Sequence, residues 1–201
     1  MKLYRPVGLY EMEKILDKDG KEFPPRYLEQ PIFYPVLNEE YASQIARKWN
    51  KEDSKSGFAG FVTEFEIDDD YVKKYEIHCV GSEIHQELWI PTEKLVEFNE
   101  NIFGRIQIKQ AYYGNNYSGI QPNGVTGFKE NAVNKQISIL AFVLNYNYMD
   151  FSGTIFVEWK IINLNFLFWF DVSSEYNKTL ESIYDCLMKN NKLYISRTLK
   201  F

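Results

Sequence analysis

The sequence contains few of the residues that build metal and redox sites. Among 201 residues there are two cysteines, Cys79 and Cys186, and two histidines, His78 and His85. The distance between the cysteines along the chain argues against a disulfide framework and fits a reduced compartment. So few scattered ligands also argue against a structural zinc site, and we predict no metal site. Because no signal peptide is evident at the N-terminus, we expect a cytoplasmic protein.

Several motifs that identify enzyme classes are also missing. The chain has no Walker loop, no G-x-G-x-x-G, no C-x-x-C pair, no H-E-x-x-H and no G-x-S-x-G elbow. Its longest apolar run, 166–170, is far too short to span a bilayer, so we predict no membrane association. The net charge of −5 argues against general binding to a nucleic-acid backbone, which needs a basic face.

Charge and composition divide the chain into two parts. Residues 1–114 carry 15 basic and 21 acidic residues, whereas residues 115–201 carry 8 and 7. A stretch rich in Gly, Asn, Ser and Pro over 115–127 is typical of a linker. We therefore predict an α+β fold with an N-terminal domain over 1–114, a linker over 115–127 and a small accessory unit over 128–201.

Hydrophobic periodicity predicts the elements of each part. In the first part we predict strands over 2–6, 32–36, 57–67, 75–80, 84–90 and 105–112, forming a mixed β-sheet, and helices over 8–17, 39–49 and 92–99. Asn38 is a good N-cap for the second helix, whose apolar stripe runs to Trp49. In the second part we predict a helix–β-hairpin–helix arrangement with helices over 129–144 and 174–189, hairpin strands over 154–162 and 165–172, and a short final strand.

The run from Glu83 to Pro91 is the most informative part of the sequence. In a strand, alternate residues point to the same face, so His85, Glu87 and Trp89 would lie side by side. A carboxylate and an imidazole beside a large aromatic ring would form a polar site on a rigid support. The alternative is a solvated sheet face.

Two other polar features lie on predicted strands, Tyr4-Arg5 on the first and Tyr34 on the second. Each also has a structural interpretation. Arg5 could pair with an acid, and Tyr34 could be half-buried core with its hydroxyl at the rim.

A resemblance brings these residues together. Residues 3–114 resemble a widespread bacterial family that is often labelled as ADP-ribosylation related, through the motifs L-Y-R-P-V-G-L, F-P-P-R, Q-P-I-F-Y-P-V-L-N-E-E-Y-A, I-A-x-x-W-N, F-V-T-x-F and H-Q-E-L-W-I-P. More distantly, an Arg on the first strand, a Tyr on the next and a Glu on a later strand are similar to the layout of ADP-ribosyltransferase folds, which use NAD. The order of Tyr4-Arg5, then Ile32-Phe33-Tyr34 before a helix with Glu39-Glu40-Tyr41-Ala42, also resembles the NAD-degrading RES-type toxins.

The resemblance implies a role for each residue. Glu87 would be the catalytic acid that stabilises an oxocarbenium-like species as the nicotinamide–ribose bond of NAD breaks, and His85 would orient it. Arg5, with Tyr4, would bind phosphate or ribose oxygens, and Tyr34 would stack on nicotinamide. NAD would then be the substrate of an ADP-ribosyltransferase or an NAD glycohydrolase.

One departure from that pattern concerns His85. Such folds usually carry an acid or a glutamine two residues before the catalytic Glu, and this departure argues against transfer to a macromolecule. The alternative function is a non-catalytic binding or accessory protein, from a toxin–immunity or phage-related locus. The acidic first part of the chain would then favour a basic protein partner.

Overall fold

The computed structural model describes residues 1–27, 29–120, 132–146 and 152–201. Two compact units divide the chain, Met1–Tyr117 and Ser118–Phe201, here called unit 1 and unit 2. Much of the linker predicted over 115–127 lies outside the described residues. In the described part of the chain, no helix is both long enough and apolar enough to cross a membrane. Helices and strands are both present, as the α+β prediction requires.

Unit 1 combines short strands with short helices. The strands are β1 (Lys2–Gly8), β2 (Ile32–Phe33), β3 (Ala59–Ile67), β4 (Ile77–Cys79), β5 (Gln86–Leu88), β6 (Ile90–Pro91) and β7 (Ile102–Tyr113). The α-helices are α1 (Leu9–Asp17), α2 (Glu39–Lys48), α3 (Asp69–Val72) and α4 (Leu95–Glu100). The predicted strand over 84–90 is thus divided into two short strands, β5 and β6.

The central sheet of unit 1 is antiparallel. Strand β3 lies between β1 and β7, and β4 pairs with β5. The segment Pro35–Leu37 connects the two groups. Val36 bridges both Tyr4 of β1 and Glu87 of β5, and Pro35 and Leu37 add backbone hydrogen bonds to β5. Every strand pairing in the described residues is antiparallel, so the predicted mixed sheet is wrong. The long connections between β1 and β3 permit either direction, and the order of elements along the sequence does not choose between them.

Strand β1 separates two sides of unit 1. Leu3, Arg5 and Val7 are buried on one face, and Tyr4 is half-buried on the other. Helix α1 buries Leu9, Met12, Ile15 and Leu16, which is the apolar face that its sequence predicts. A cluster of buried aromatic rings adds to this core: Phe23, Phe33, Phe65 and Phe98.

Helix α2 starts where the sequence predicts. The side chain of Asn38 accepts hydrogen bonds from the backbone N–H groups of Glu40 and Tyr41 and so satisfies two of the free donors at the helix start. Ala42 and Ala46 are buried, but Trp49, predicted to end the apolar stripe, is 60% exposed. Trp49 is the C-cap residue, where the backbone leaves the helix and the periodicity no longer holds.

Unit 2 is helical in its described residues. Its α-helices are α5 (Val133–Tyr146), α6 (Ser152–Val157), α7 (Trp159–Val172) and α8 (Asn177–Lys189). The predicted β-hairpin is therefore wrong, because both of its strands lie in α6 and α7. Helix α7 is buried continuously from Ile161 to Leu167, so it lacks the polar face that would have revealed a helical period. The chain after α8 forms no regular strand, which also corrects the predicted final strand.

Candidate functional site

Unit 1 contains a cleft of about 930 Å³. Arg5 from β1, Tyr34 from the segment after β2 and Glu87 from β5 all line it. Three residues that are far apart in sequence therefore reach one cavity, because Val36 joins β1 to β5 in the sheet. The wall is completed by polar and aromatic residues, among them Tyr10, Glu11, Lys14, Arg26, Tyr27, Glu29, Asn50, Asp53, Ser56 and Trp89.

Glu87 is held in a defined orientation. Its side chain is buried, and its residue lies opposite His78 in the β4–β5 pair. The indole Nε1 of Trp89 donates to Oε1 at 2.7 Å, and the hydroxyl of Tyr41 donates to Oε2 at 3.4 Å. Each carboxylate oxygen thus has a donor, and these bonds match an ionised carboxylate, which only accepts.

The position of Tyr41 beside Glu87 affects the pKa of the Tyr41 hydroxyl. Burial raises the pKa of its hydroxyl, and the neighbouring Glu87 charge raises that pKa further. A neutral phenol that keeps its proton remains a donor to the carboxylate.

Both histidines stack on the residues that hold Glu87. The His78 ring lies 4.0 Å from the Trp89 ring with an interplanar angle of 17°, and the His85 ring lies 4.4 Å from the Tyr41 ring. Nδ1 of His85 accepts from the backbone N–H of Ser82, so its Nε2 carries the proton and donates to Oε1 of Gln44 at 3.1 Å. His85 therefore contacts Tyr41, which in turn bonds Glu87, and it does not line the cleft.

Arg5 is buried and strongly engaged. Its Nε donates to Oε1 of Glu11 at 3.0 Å, its Nη1 donates to the carbonyl of Tyr34 at 3.1 Å, and its Cζ lies 4.3 Å from the centroid of the Phe33 ring. Arg5 therefore pairs with an acid and fixes the backbone at Tyr34, while still lining the cleft.

Tyr34 and Trp89 form an aromatic wall. Their ring centroids are 6.2 Å apart at 88°, an edge-to-face contact, and the two residues are 38% and 40% exposed. Both rings are thus partly accessible in the cleft, although one face of Trp89 is covered by the His78 ring.

Tyr4 lies away from the cleft. Adjacent residues of a strand point to opposite faces, so Tyr4 faces away from Arg5 and packs on a cluster of Val36, Ala42, Ala46 and Val62. Burial raises the pKa of its hydroxyl, and the charges of Glu64 and Glu39 raise it further. The structure therefore separates Tyr4 from the other residues expected to contact a ligand.

Sequence reasoning missed three residues of this site: Glu11, Arg26 and Tyr41. It placed Trp89 beside Glu87 but not as the donor to its carboxylate. Arg26 lies in the motif F-P-P-R, so that motif held the signal. Nothing in the sequence singles out Glu11, because an acid on the first turn of a helix is commonplace. Tyr41 packs against the buried cluster beside α2, and the contact of its hydroxyl with Glu87 depends on tertiary structure.

No group of three or more His, Cys, Asp or Glu residues in the described part of the chain is arranged to hold a metal ion. In the run of Asp68, Asp69 and Asp70, Asp68 instead caps α3 by accepting from the backbone N–H of Tyr71 at 2.7 Å. Comparisons of this chain with models of protein families, with curated proteins and with solved structures each found no match.

Proposed function

We propose that unit 1 is an ADP-ribosyltransferase-like domain that binds NAD in its cleft and cleaves the nicotinamide–ribose bond. The observation that carries the proposal is the meeting of Arg5, Tyr34 and Glu87 in one cavity. These are the three residue types that the resemblance implies for such a site, and they come from three separate segments of unit 1.

The chemistry requires a carboxylate beside the sugar. As the bond between C1′ of the ribose and the nicotinamide nitrogen breaks, the bonding electron pair leaves with the nicotinamide, which becomes neutral. Positive charge then develops on the ribose, and the fixed Glu87 carboxylate stabilises it without reorganising. Water attacks C1′, loses a proton and gives ADP-ribose.

The donors on Glu87 support that role. Trp89 and Tyr41 each bond one oxygen and so hold the carboxylate in place before a substrate arrives. A preorganised negative charge on a buried residue interacts more strongly with a developing cation than the same charge in water.

The size and lining of the cleft also suit a dinucleotide. Its volume of about 930 Å³ lies toward the upper end of the range typical of small-molecule sites, roughly 300 to 1,000 Å³. The partly exposed ring of Tyr34 offers a stacking partner for nicotinamide beside Trp89, and Arg5 supplies guanidinium donors for phosphate or ribose oxygens.

The proposal is tested by incubating the purified protein with NAD and measuring binding by ligand-detected NMR and nicotinamide by chromatography. We expect binding together with nicotinamide release. Binding without release would reject the cleavage and leave only nucleotide binding at this cleft. If neither occurred, the proposal would be wrong, and the partner would have to be sought among proteins.

A further inference from the structure

Two arginines in the cleft share one carboxylate. Glu11, on the first turn of α1, accepts from Nε of Arg5 at 3.0 Å. Nη1 of Arg26, from the irregular segment after α1, lies 3.5 Å from Oε1 and 3.4 Å from Oε2 of the same carboxylate. All three residues line the cleft, so the cluster faces the cavity.

The cluster contains less negative charge than its two cations require. The contacts of Arg26 with Glu11 are longer than the roughly 2.7 to 2.9 Å of a strong charge-assisted hydrogen bond. Nε of Arg26 is buried and has no hydrogen-bond partner among the described residues. Burial of the guanidinium, followed by the charge of Arg5, holds the pKa of Arg26 below its usual value despite the opposing effect of Glu11.

Neighbouring charges leave this imbalance in place. Lys14 also lines the cleft and adds positive charge, with its Nζ 5.8 Å from the centroid of the Tyr27 ring. Three more acids line the cleft, Glu29, Asp53 and Glu87, but none has a hydrogen bond or ion pair with either guanidinium in the described residues. Asp53 instead accepts from Ser56, and Glu87 accepts from Trp89 and Tyr41. A second anion placed between Arg5 and Arg26 would therefore be attracted by the site.

We propose that Arg5 and Arg26 form a subsite for the diphosphate group of a nucleotide, and that Glu11 is its built-in counter-ion. Guanidinium groups match phosphate oxygens through paired, planar N–H donors. Glu11 holds the two guanidiniums in position when the cleft is empty and competes with the ligand for the same donors. The identification of the ligand as a dinucleotide rests on the proposed function, whereas the anion subsite rests on the charges alone.

Inorganic pyrophosphate is the direct probe, because it has a diphosphate group and no glycosidic bond. Its binding is measured by isothermal titration calorimetry at fixed, low ionic strength on the full chain. We expect wild type to bind, and Arg26→Gln to weaken binding on the order of tenfold or more, as the loss of charge-assisted hydrogen bonds implies. Arg47→Gln is the matched control, since Arg47 lies exposed on α2 outside the cleft, and it should bind like wild type.

Glu11→Gln separates a counter-ion from a simple structural partner. Because the amide keeps the shape but loses the competing charge, pyrophosphate should bind several-fold more tightly. If Arg26→Gln does not fold, Arg26→Lys keeps the charge but loses the planar fork, and it should still weaken binding.

The proposal is overturned if wild type does not bind pyrophosphate, if Arg47→Gln weakens binding as much as Arg26→Gln, or if Glu11→Gln weakens it. Pyrophosphate binding in a protein that releases no nicotinamide from NAD would leave the subsite intact and reject the proposed reaction. Nicotinamide release without pyrophosphate binding would do the reverse.

Discussion

The indole nitrogen of Trp89 donates a 2.7 Å hydrogen bond to Oε1 of Glu87, two residues earlier in the chain. The bond is possible because alternate residues of an extended segment point to the same face. It joins the 40% exposed Trp89 to the buried Glu87. The position of the Glu87 carboxylate therefore depends on a residue that also lines the cleft.

Removing that hydrogen bond should destabilise the fold. Trp89→Phe keeps an aromatic ring but leaves one oxygen of Glu87 without its donor, which should lower the free energy of unfolding by roughly 1 to 2 kcal/mol. Chemical denaturation measures the change. Trp49→Phe is the control, because Trp49 is 60% exposed and makes no side-chain hydrogen bond in the described residues. Equal effects of the two substitutions would refute the role of the indole N–H.

The proximity of Tyr41 to Glu87 should be visible in a titration. Glu87→Gln removes the charge that helps to raise the pKa of the Tyr41 hydroxyl, so that pKa should fall but stay above its ordinary value of 10.0 because burial remains. Since the folded-state pKa of Tyr41 is raised, the contribution of this group to stability is present below pH 10 and is lost as pH rises through the folded value. NMR of ring-labelled tyrosine measures the pKa in both proteins. An unchanged Tyr41 pKa would show that the two groups are not coupled.

A second titration concerns Asp53, which lines the cleft together with Ser56. Oγ of Ser56 donates to Oδ2 of Asp53 at 2.8 Å, and this bond is the main reason that the pKa of Asp53 lies below its usual value. Ser56→Ala should therefore raise the pKa of Asp53, which carboxyl-detected NMR measures. Ser56→Ala also removes the hydrogen bond that Nδ2 of Asn50 donates to Ser56 Oγ, and that loss is present at every pH. Because a depressed carboxyl pKa stabilises the fold above the ordinary pKa of about 3.8, the stability deficit of the variant should be larger at neutral pH than in strong acid, by less than about 1 kcal/mol. A deficit that did not shrink between neutral pH and pH 2 would contradict this explanation.

The cap that Asn38 forms at the start of α2 should stabilise the fold. Asn38→Ala leaves the backbone N–H groups of Glu40 and Tyr41 without their partner, and should cost about 1 kcal/mol of unfolding free energy. Asn38→Asp, which can still accept both bonds, should retain most of the stability. Thermal or chemical denaturation of the pair decides the matter, and equal losses in both variants would rule out the cap as the cause.

Local signals explain what the sequence predicts correctly. The apolar positions of α1 repeat with a helical period, and Asn38 is followed by two acids at a helix start, so both features can be recognised without tertiary contacts. The predicted hairpin in unit 2 failed for the opposite reason. From Ile161 to Leu167 every side chain is buried, and a segment buried on all sides does not distinguish a helix from a strand by its periodicity.

The candidate site was predictable only in part. Arg5, Tyr34 and Glu87 stand out because each lies in one of the motifs that carry the resemblance, and all three line the cleft. Tyr4 was grouped with Arg5 although neighbours in a strand face opposite sides. The pairing of Arg5 and Arg26 around Glu11 depends on an irregular proline-containing segment whose path no local pattern specifies.

The most direct test of the central claim is the rate of nicotinamide release from NAD by wild type, Glu87→Gln and Glu66→Gln. Glu66 is a matched control because it is an exposed glutamate on β3 outside the cleft. The account predicts that Glu66→Gln releases nicotinamide like wild type, while Glu87→Gln stays folded, still binds NAD and releases nicotinamide at least about a hundredfold more slowly. Undiminished release by folded Glu87→Gln would contradict the account.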